Sequence, residues 1–337
     1  WSSPGFDLND MGYMKETDYL MNETEIMYRQ TDIWKIFRYN AFTLSQKNMW
    51  NYGGTPFSNN ASLRWQSMTM NRYEWDVKET FAWNWLDSRL LRGGPDVRFG
   101  SYFLTSAKFN TDKAKRMMFM LKYEGDHNFE GNRFNTISPS LTFRLGNHVY
   151  LSGQLDYAWN TDEMQYVATT SPLSSSSLAP YYYVMGHMDQ KTYGLTLKLQ
   201  VNVTPDISIQ FYGAPFTSIA KYDDFKLAAD TKSHTFENRF QRIDPDQLTY
   251  ADGVYTIGEG AGQMPFRNPD FRFNEFRSNL VARWEYLPGS TLYFVWEHRM
   301  SNRDNWYSSG WGSNLDRMWG LPATNTFMIK MNYWFNL

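Results

Sequence analysis

Cysteine is absent from this 337-residue chain, which rules out disulfides and cysteine-ligated zinc. No run of about 18 apolar residues occurs, so a transmembrane helix is excluded. Charge of one sign is lacking too: the formal net charge is −2, which leaves no electrostatic case for nucleic acid. Neither a start Met nor a signal peptide precedes Trp1, so the expectation is that processing or truncation has removed something upstream. The length suits two average soluble domains or one large all-β unit.

Aromatic residues, by contrast, make up 18 % of the chain, while mean hydropathy is only −0.60. A soluble fold this rich in rings hides them in a long apolar core, and its hydropathy rises accordingly. Here the rings alternate with Asn, Arg, Glu, Lys and Ser, a mixture that suits a wall with one greasy face and one wet face. Closed β-barrels are the only spanning structure besides helices, because lipid offers an open sheet edge no hydrogen-bond partner.

Alternation with period two is clearest in 193–203. Tyr193, Leu195, Leu197, Leu199, Val201 and Val203 are apolar, whereas Thr196, Lys198, Gln200 and Asn202 are polar. A turn at Thr204-Pro205-Asp206 leads into Ile207, Ile209 and Phe211, which makes a hairpin. Phe276, Leu280, Ala282, Trp284 and Tyr286 oppose Glu275, Arg277, Asn279, Arg283 and Glu285. Beyond Pro288-Gly289-Ser290, Leu292, Phe294 and Trp296 oppose Glu297 and Arg299. Segment 36–50 alternates poorly. Pro139 cannot donate to a ladder and is expected to mark a bulge or strand end.

The pattern predicts about thirteen strands, near 18–30, 37–50, 60–70, 74–87, 97–109, 115–125, 133–145, 148–162, 181–203, 206–216, 273–287, 290–301 and 324–337. Short links near 31–36, 71–73, 110–114, 146–147, 204–205 and 288–289 alternate strictly with long ones at 51–59, 88–96, 126–132, 163–180, 217–272 and 302–323. Outer-membrane barrels sort their connections this way, with tight periplasmic turns and longer external loops. In the last strand Phe327, Ile329, Met331, Tyr333, Phe335 and Leu337 share a face, with Met328, Lys330, Asn332 and Asn336 opposite. It resembles the C-terminal strand that the outer-membrane assembly machinery recognises. With that end periplasmic, the first strand runs inward from outside. Single-chain bacterial barrels have an even strand count and periplasmic ends, so an odd number of strands is expected upstream of Trp1. The alternative is a further strand within 5–16, giving fourteen that close alone.

Several phrases form a recognisable set. They are Ser3-Pro4-Gly5-Phe6 with Asn9-Asp10-Met11-Gly12, Trp50-Asn51-Tyr52-Gly53-Gly54, Arg92-Gly93-Gly94-Pro95, Ser138-Pro139-Ser140-Leu141, and Arg283-Trp284-Glu285-Tyr286 through Pro288-Gly289-Ser290-Thr291-Leu292-Tyr293. Together they resemble a family of large Gram-negative outer-membrane proteins of unknown function. Its members typically join an N-terminal domain like family-nine carbohydrate-binding modules to a long C-terminal barrel. The resemblance spans nearly the whole chain and implies a missing N-terminal part, through which glycans would be bound. It carries over no catalytic residue.

Candidate chemistry is sparse. His187-Met188-Asp189 sits near the external end of a strand, where a His beside a carboxylate could activate water, but no second carboxylate pair is visibly placed opposite. His298 has outward parity beside Trp296, without the Ser that a lipid-facing hydrolase needs. Asp162-Glu163, Asp223-Asp224, and Asp244 with Asp246 are acidic, yet none has the dense ligand spacing of a calcium loop. Gly258-Glu259-Gly260-Ala261-Gly262 lacks the Gly-Lys-Ser/Thr of a phosphate cradle. Ser174 to Ser177 reads as a polar loop tract. No cofactor motif is found.

The expectation is therefore an all-β, transmembrane, antiparallel up-and-down β-barrel, with 1–337 as the C-terminal part of one larger even-stranded barrel in a bacterial outer membrane. Its lipid-facing set is Tyr193, Leu195, Leu197, Leu199, Val201, Val203, Leu280, Trp284, Tyr286, Phe327, Ile329, Tyr333, Phe335 and Leu337. Its lumen-facing set is Lys198, Gln200, Glu275, Arg277, Arg283, Glu285, Glu297, Arg299 and Lys330, whose mixed signs suit a salt-bridged wall or a weakly selective channel. Outward Trp75, Trp83, Trp85, Tyr157, Trp159 and Trp296 read as interfacial girdles. Partners are membrane lipid and other surface proteins. Solute movement, a plugged scaffold whose long loops dock partners, and a rim-active hydrolase are the three functional readings.

Overall fold

A computed structural model describes residues 1–7, 17–83, 85–173, 181–305 and 311–335. In chain order the strands are β1 (Leu20–Gln30), β2 (Phe37–Trp50), β3 (Pro56–Thr69), β4 (Glu74–Trp83), β5 (Trp85–Asp87), β6 (Val97–Phe99), β7 (Tyr102–Asn110), β8 (Met117–Asn128), β9 (Arg133–Leu145) and β10 (Val149–Thr170). They continue as β11 (Tyr182–Asn202), β12 (Ile207–Ala228), β13 (Phe240–Arg242), β14 (Leu248–Ala251), β15 (Val254–Ile257), β16 (Met264–Arg267), β17 (Phe271–Leu287), β18 (Ser290–Asp304) and β19 (Ala323–Asn332). One helix, α1 (Trp311–Trp319), precedes β19.

A single antiparallel sheet dominates, in the order β1-β2-β3-β4-β7-β8-β9-β10-β11-β12-β17-β18-β19, with β13 added beside β12 as a fourteenth strand. Each strand pairs with its successor in an up-and-down path, as the alternation predicts. The sheet does not close. β1 and β19 are its edges, and both run towards the end that carries the tight turns.

The tight turns follow from local chemistry. Leu287 and Ser290 pair across a two-residue link, with Pro288 at the position that favours its fixed φ and Gly289 at φ +79, as a type II turn requires. A Cβ at Gly289 would also meet Trp334 at 3.1 Å. At the opposite end the links 84–101, 171–181, 229–270 and 305–322 are long. The expected strict contrast fails twice: 51–55 and 129–132 are no longer than the turns 31–36 and 111–116, because the flanking strands run further than their polar outer residues suggested.

Other boundaries are corrected as well. β10, β11 and β12 are 22, 21 and 22 residues long and project beyond their neighbours, so much of 163–170 and 217–228 is strand. Residues 85–99 form a separate two-stranded hairpin, β5–β6. Trp85 packs there against Phe99 and Tyr102 instead of joining a girdle. The link 229–270 holds the three-stranded sheet β14-β15-β16. A strand in 5–16 and the terminal Leu337 fall, wholly or in part, outside the described residues, as do Asn336 and Ser174 to Ser177; 5–7 is not strand.

Pro139 marks neither a bulge nor a strand end. It lies inside β9 opposite Leu121. The β9–β10 ladder skips Leu155 and Asp156 and resumes in the same register at Tyr157 and Ile137. Pro215 does the same in β12, where pairing with β11 lapses between Gly194 with Phe216 and Leu197 with Gly213. A missing N–H removes ladder bonds, and the side chains beyond it restore the register.

Candidate functional site

Cross-strand register assigns every ladder side chain to one of two faces, because the side-chain period is two. Leu151, Leu199, Phe211, Leu280, Trp296 and Phe327 follow one another across β10, β11, β12, β17, β18 and β19 on one rung. The neighbouring residues Ser152, Lys198, Tyr212, Asn279, Glu297 and Thr326 share the other face. The expected outward residues Tyr193, Leu195, Leu197, Leu199, Val201, Leu280, Trp284, Phe327 and Ile329 share the first face. Lys198, Gln200, Glu275, Arg277, Arg283, Glu285, Glu297, Arg299 and Lys330 share the second. Tyr286 sits at a register shift, and Val203, Tyr333 and Phe335 lie just beyond their strand ends.

The apolar face is bare through the middle of the sheet. Leu63 is 56 % and Ile329 72 % exposed, far more than a layer packed on another layer allows. Aromatic contacts line both margins. Trp75 and Phe109, with centroids 4.4 Å apart, sit near the tight turns with Tyr73 and Trp284. Phe81 and Trp83, and Tyr157 with Trp159 and Tyr193, stack near the other margin. Trp75 to Trp83 is eight steps on one strand, about 27 Å, or roughly 20 Å across a band whose strands tilt by about 40°.

Beyond the second margin the same face is covered by protein. Leu91 and Val97 of the β5–β6 hairpin pack on Met164 and Met185. The helix α1 sets Trp319 against Phe276 at 4.9 Å, buries Met318, and brings Asn314 to Arg272, which is ion-paired with Asp304. On the polar side, Ile257 and Phe266 of the three-stranded sheet pack on Met188, Ala220 and Tyr222.

The polar face is held by hydroxyl and ion pairs. Ser45 meets Ser62 at 2.6 Å, and Thr192 meets Ser218 at 3.0 Å. Arg64 grips Asp76 through two nitrogens. Glu275 accepts both Arg277 and Arg299 at 2.9 Å, while Arg283 pairs with Glu285 and Lys122 with Glu124. Between β1 and β9 seven strands line one recess of about 580 Å³ on this face. Side chains from so many strands converge only where the sheet curls towards its polar side.

Sequence reasoning missed Glu79. It stands on the apolar face between Leu63 and Thr105 and accepts the Thr105 hydroxyl at 2.7 Å. Asn135 also carries apolar-face parity, accepting Tyr123 at 2.7 Å and contacting His127 at 3.0 Å. The signal was a break in parity at single positions.

At the projecting rim, His187 lies between two carboxylates, with Nδ1 3.1 Å from Glu163 and Nε2 3.5 Å from Asp189. Burial pulls the His187 pKa down, but the hydrogen bond to Glu163 and the charges of Glu163, Asp189 and Asp223 outweigh it and hold the imidazole above its ordinary value. Burial raises the Asp162 carboxyl nearby. The register that pairs Asp162 with Met188 sets Glu163 opposite His187, just before the β10–β11 ladder shifts on the way to Gln165. His298 and Trp296 both contact the Asn325 side-chain oxygen. Among the described residues no three His, Asp or Glu gather as a metal site would. Asp224 instead pairs with Lys226 and Arg242, and Asp244 accepts the Asp246 N–H. Among those residues no helix is long and apolar enough to cross a membrane, which says nothing of strands.

The model of a family described as a domain of unknown function, DUF5916, matches residues 1–337. No curated protein and no solved structure matches the chain.

Proposed function

Since the chain belongs to the DUF5916 family, whose description assigns no activity, its role must come from its own residues: we propose that it is a wall of a bacterial outer-membrane β-barrel that holds a path for polar solutes. On the resemblance noted above, the wall belongs to a longer chain with an N-terminal domain like family-nine carbohydrate-binding modules, acting in surface nutrient handling. One observation carries the reading. The apolar face is bare between two aromatic margins, and beyond one of them protein covers β10, β11, β17 and β18, which is how a lipid band would divide it. An odd number of strands completes the ring, since only an odd number can meet β1 and β19 antiparallel on both sides.

A second reading, a plugged scaffold, draws support from β14, β15 and β16 packing on the polar-face side. Stable unitary openings of reconstituted protein favour the solute path, and their absence favours the scaffold.

The membrane test is a pair of neighbours. Leu197→Arg, on the apolar face, is expected to cost about 2–4 kcal/mol near a bilayer midplane, and Lys198→Leu to be mild, in urea titrations of liposome-inserted protein. Equal effects contradict the two faces. Protein that stays monodisperse in buffer without amphiphile contradicts the membrane.

A further inference from the structure

The recess between β1 and β9 holds charges that the wall itself does not neutralise. Lys78 and Asp126 both face it, and neither makes a hydrogen bond or ion pair among the described residues. Within the recess Glu124 has Lys122 at 2.8 Å, and elsewhere on the same face Arg64 has Asp76 and Glu275 has two arginines. Asp126 stands directly between Leu104 of β7 and Phe134 of β9. Neither neighbour can donate a hydrogen bond. A carboxylate beside apolar groups lacks the partners that would stabilise its charge.

Register fixes how the two charges relate. Lys78 is opposite Ser106, which is opposite Glu124; Thr80 is opposite Leu104, which is opposite Asp126. Lys78 and Asp126 are therefore two strands apart and one same-face step out of line. Their backbones are about 12 Å apart from strand spacing and rise, and an extended lysine side chain spans about half of that gap. Thr80 and Ser106 offer hydroxyls between them. At the far side of the recess Lys47 and Glu23 repeat the combination of signs. A purely anionic solute would find Asp126 and Glu23 against it, and a purely cationic one Lys78 and Lys47.

From this juxtaposition we propose that the recess is a binding station for small zwitterions of the amino-acid or short-peptide class, with the carboxylate on Lys78 and the ammonium on Asp126. The hydroxyls of Thr80 and Ser106 receive the amide between them. The proposal rests on the polar face being a solute path and adds the class of solute.

The test uses the whole chain in detergent micelles, with titration calorimetry of glycylglycine against N-acetylglycine and glycinamide, which carry one charge each. Glycylglycine is expected to bind at least tenfold more tightly than either. Lys78→Met and Asp126→Asn should each remove that advantage, and the exchange Lys78→Glu with Asp126→Lys should restore it. Near-equal binding of the three probes, or no binding of glycylglycine, overturns the proposal. The exchange variant guards against misfolding: if its far-ultraviolet spectrum is native and it fails to recover the advantage, the charge assignment is wrong. Failure here while the Leu197 and Lys198 pair behaves as expected leaves the membrane wall standing. The converse result separates the site from the membrane.

Discussion

At the residue scale, the surroundings of His187 control its protonation. Its folded pKa is raised, because Glu163, Asp189 and Asp223 outweigh burial. A group raised on folding contributes stability that is full below its unfolded value and is lost as pH rises through the folded one. Asp162, raised by burial, acts in the same direction, since its native form also favours the proton. The rim formed by β10 and β11 is therefore expected to loosen as pH rises from mildly acidic towards alkaline. Hydrogen-exchange protection of 160–170 and 182–190, taken relative to the intrinsic rate at each pH, should fall across that interval, and His187→Gln should flatten the dependence. A rim that tightens with rising pH contradicts the pairing.

At the scale of elements, one guanidinium ties three loops together. Arg239 is 1 % exposed. It pairs with Glu130 at 2.8 Å and donates to the carbonyls of Arg98 and Ser233, while Asp96 holds Lys232 at 2.8 Å. Breaking one side of a buried pair costs about 3–5 kcal/mol, so Arg239→Met should free 84–101 and 229–242 together. Limited proteolysis in both loops, with strands 149–160 still protected, is the expected result; cutting in one loop alone would break the link. None of this was legible in the sequence, and the reason is physical. Within the bare band one face is apolar and the other polar, so parity shows in Leu195 to Val203 or Phe327 to Ile329. Beyond it both faces of β10, β11 and β12 are covered, by Leu91 and Val97 on one side and Ile257 and Phe266 on the other. Period two fades there, and the strands read as loop. Segment 36–50 alternated poorly because Gln46 and Asn48 occupy apolar-face positions near the end of β2. Glu163 faces His187 through the pairing of β10 with β11, which the spacing within either strand does not contain.

At the scale of the molecule, the open edges decide what can close it. β1 and β19 run the same way, so they cannot meet each other antiparallel, and an odd number of further strands separates them in the proposed ring. The cysteine-free background makes this measurable. Ile26→Cys with Ile329→Cys should form no disulfide within one chain in liposomes, because bridged Cα atoms stand about 4.4–6.8 Å apart and even one intervening strand doubles the spacing of about 4.8 Å. A ready intramolecular cross-link would mean that the two edges meet directly.

The two prolines have a mechanical consequence. By register, Pro139, Leu155, Leu195 and Pro215 occupy one line across β9, β10, β11 and β12. Leu155 and Leu195 remain paired with each other, while bonds to the strands outside them lapse on both flanks. The hairpin of β10 and β11 is thus stitched to itself and unstitched from its neighbours at a common level. That slack is confined to one line: past it Tyr157 again meets Ile137 and Gly194 meets Phe216, so both neighbours hold the hairpin above and below a single loosened level.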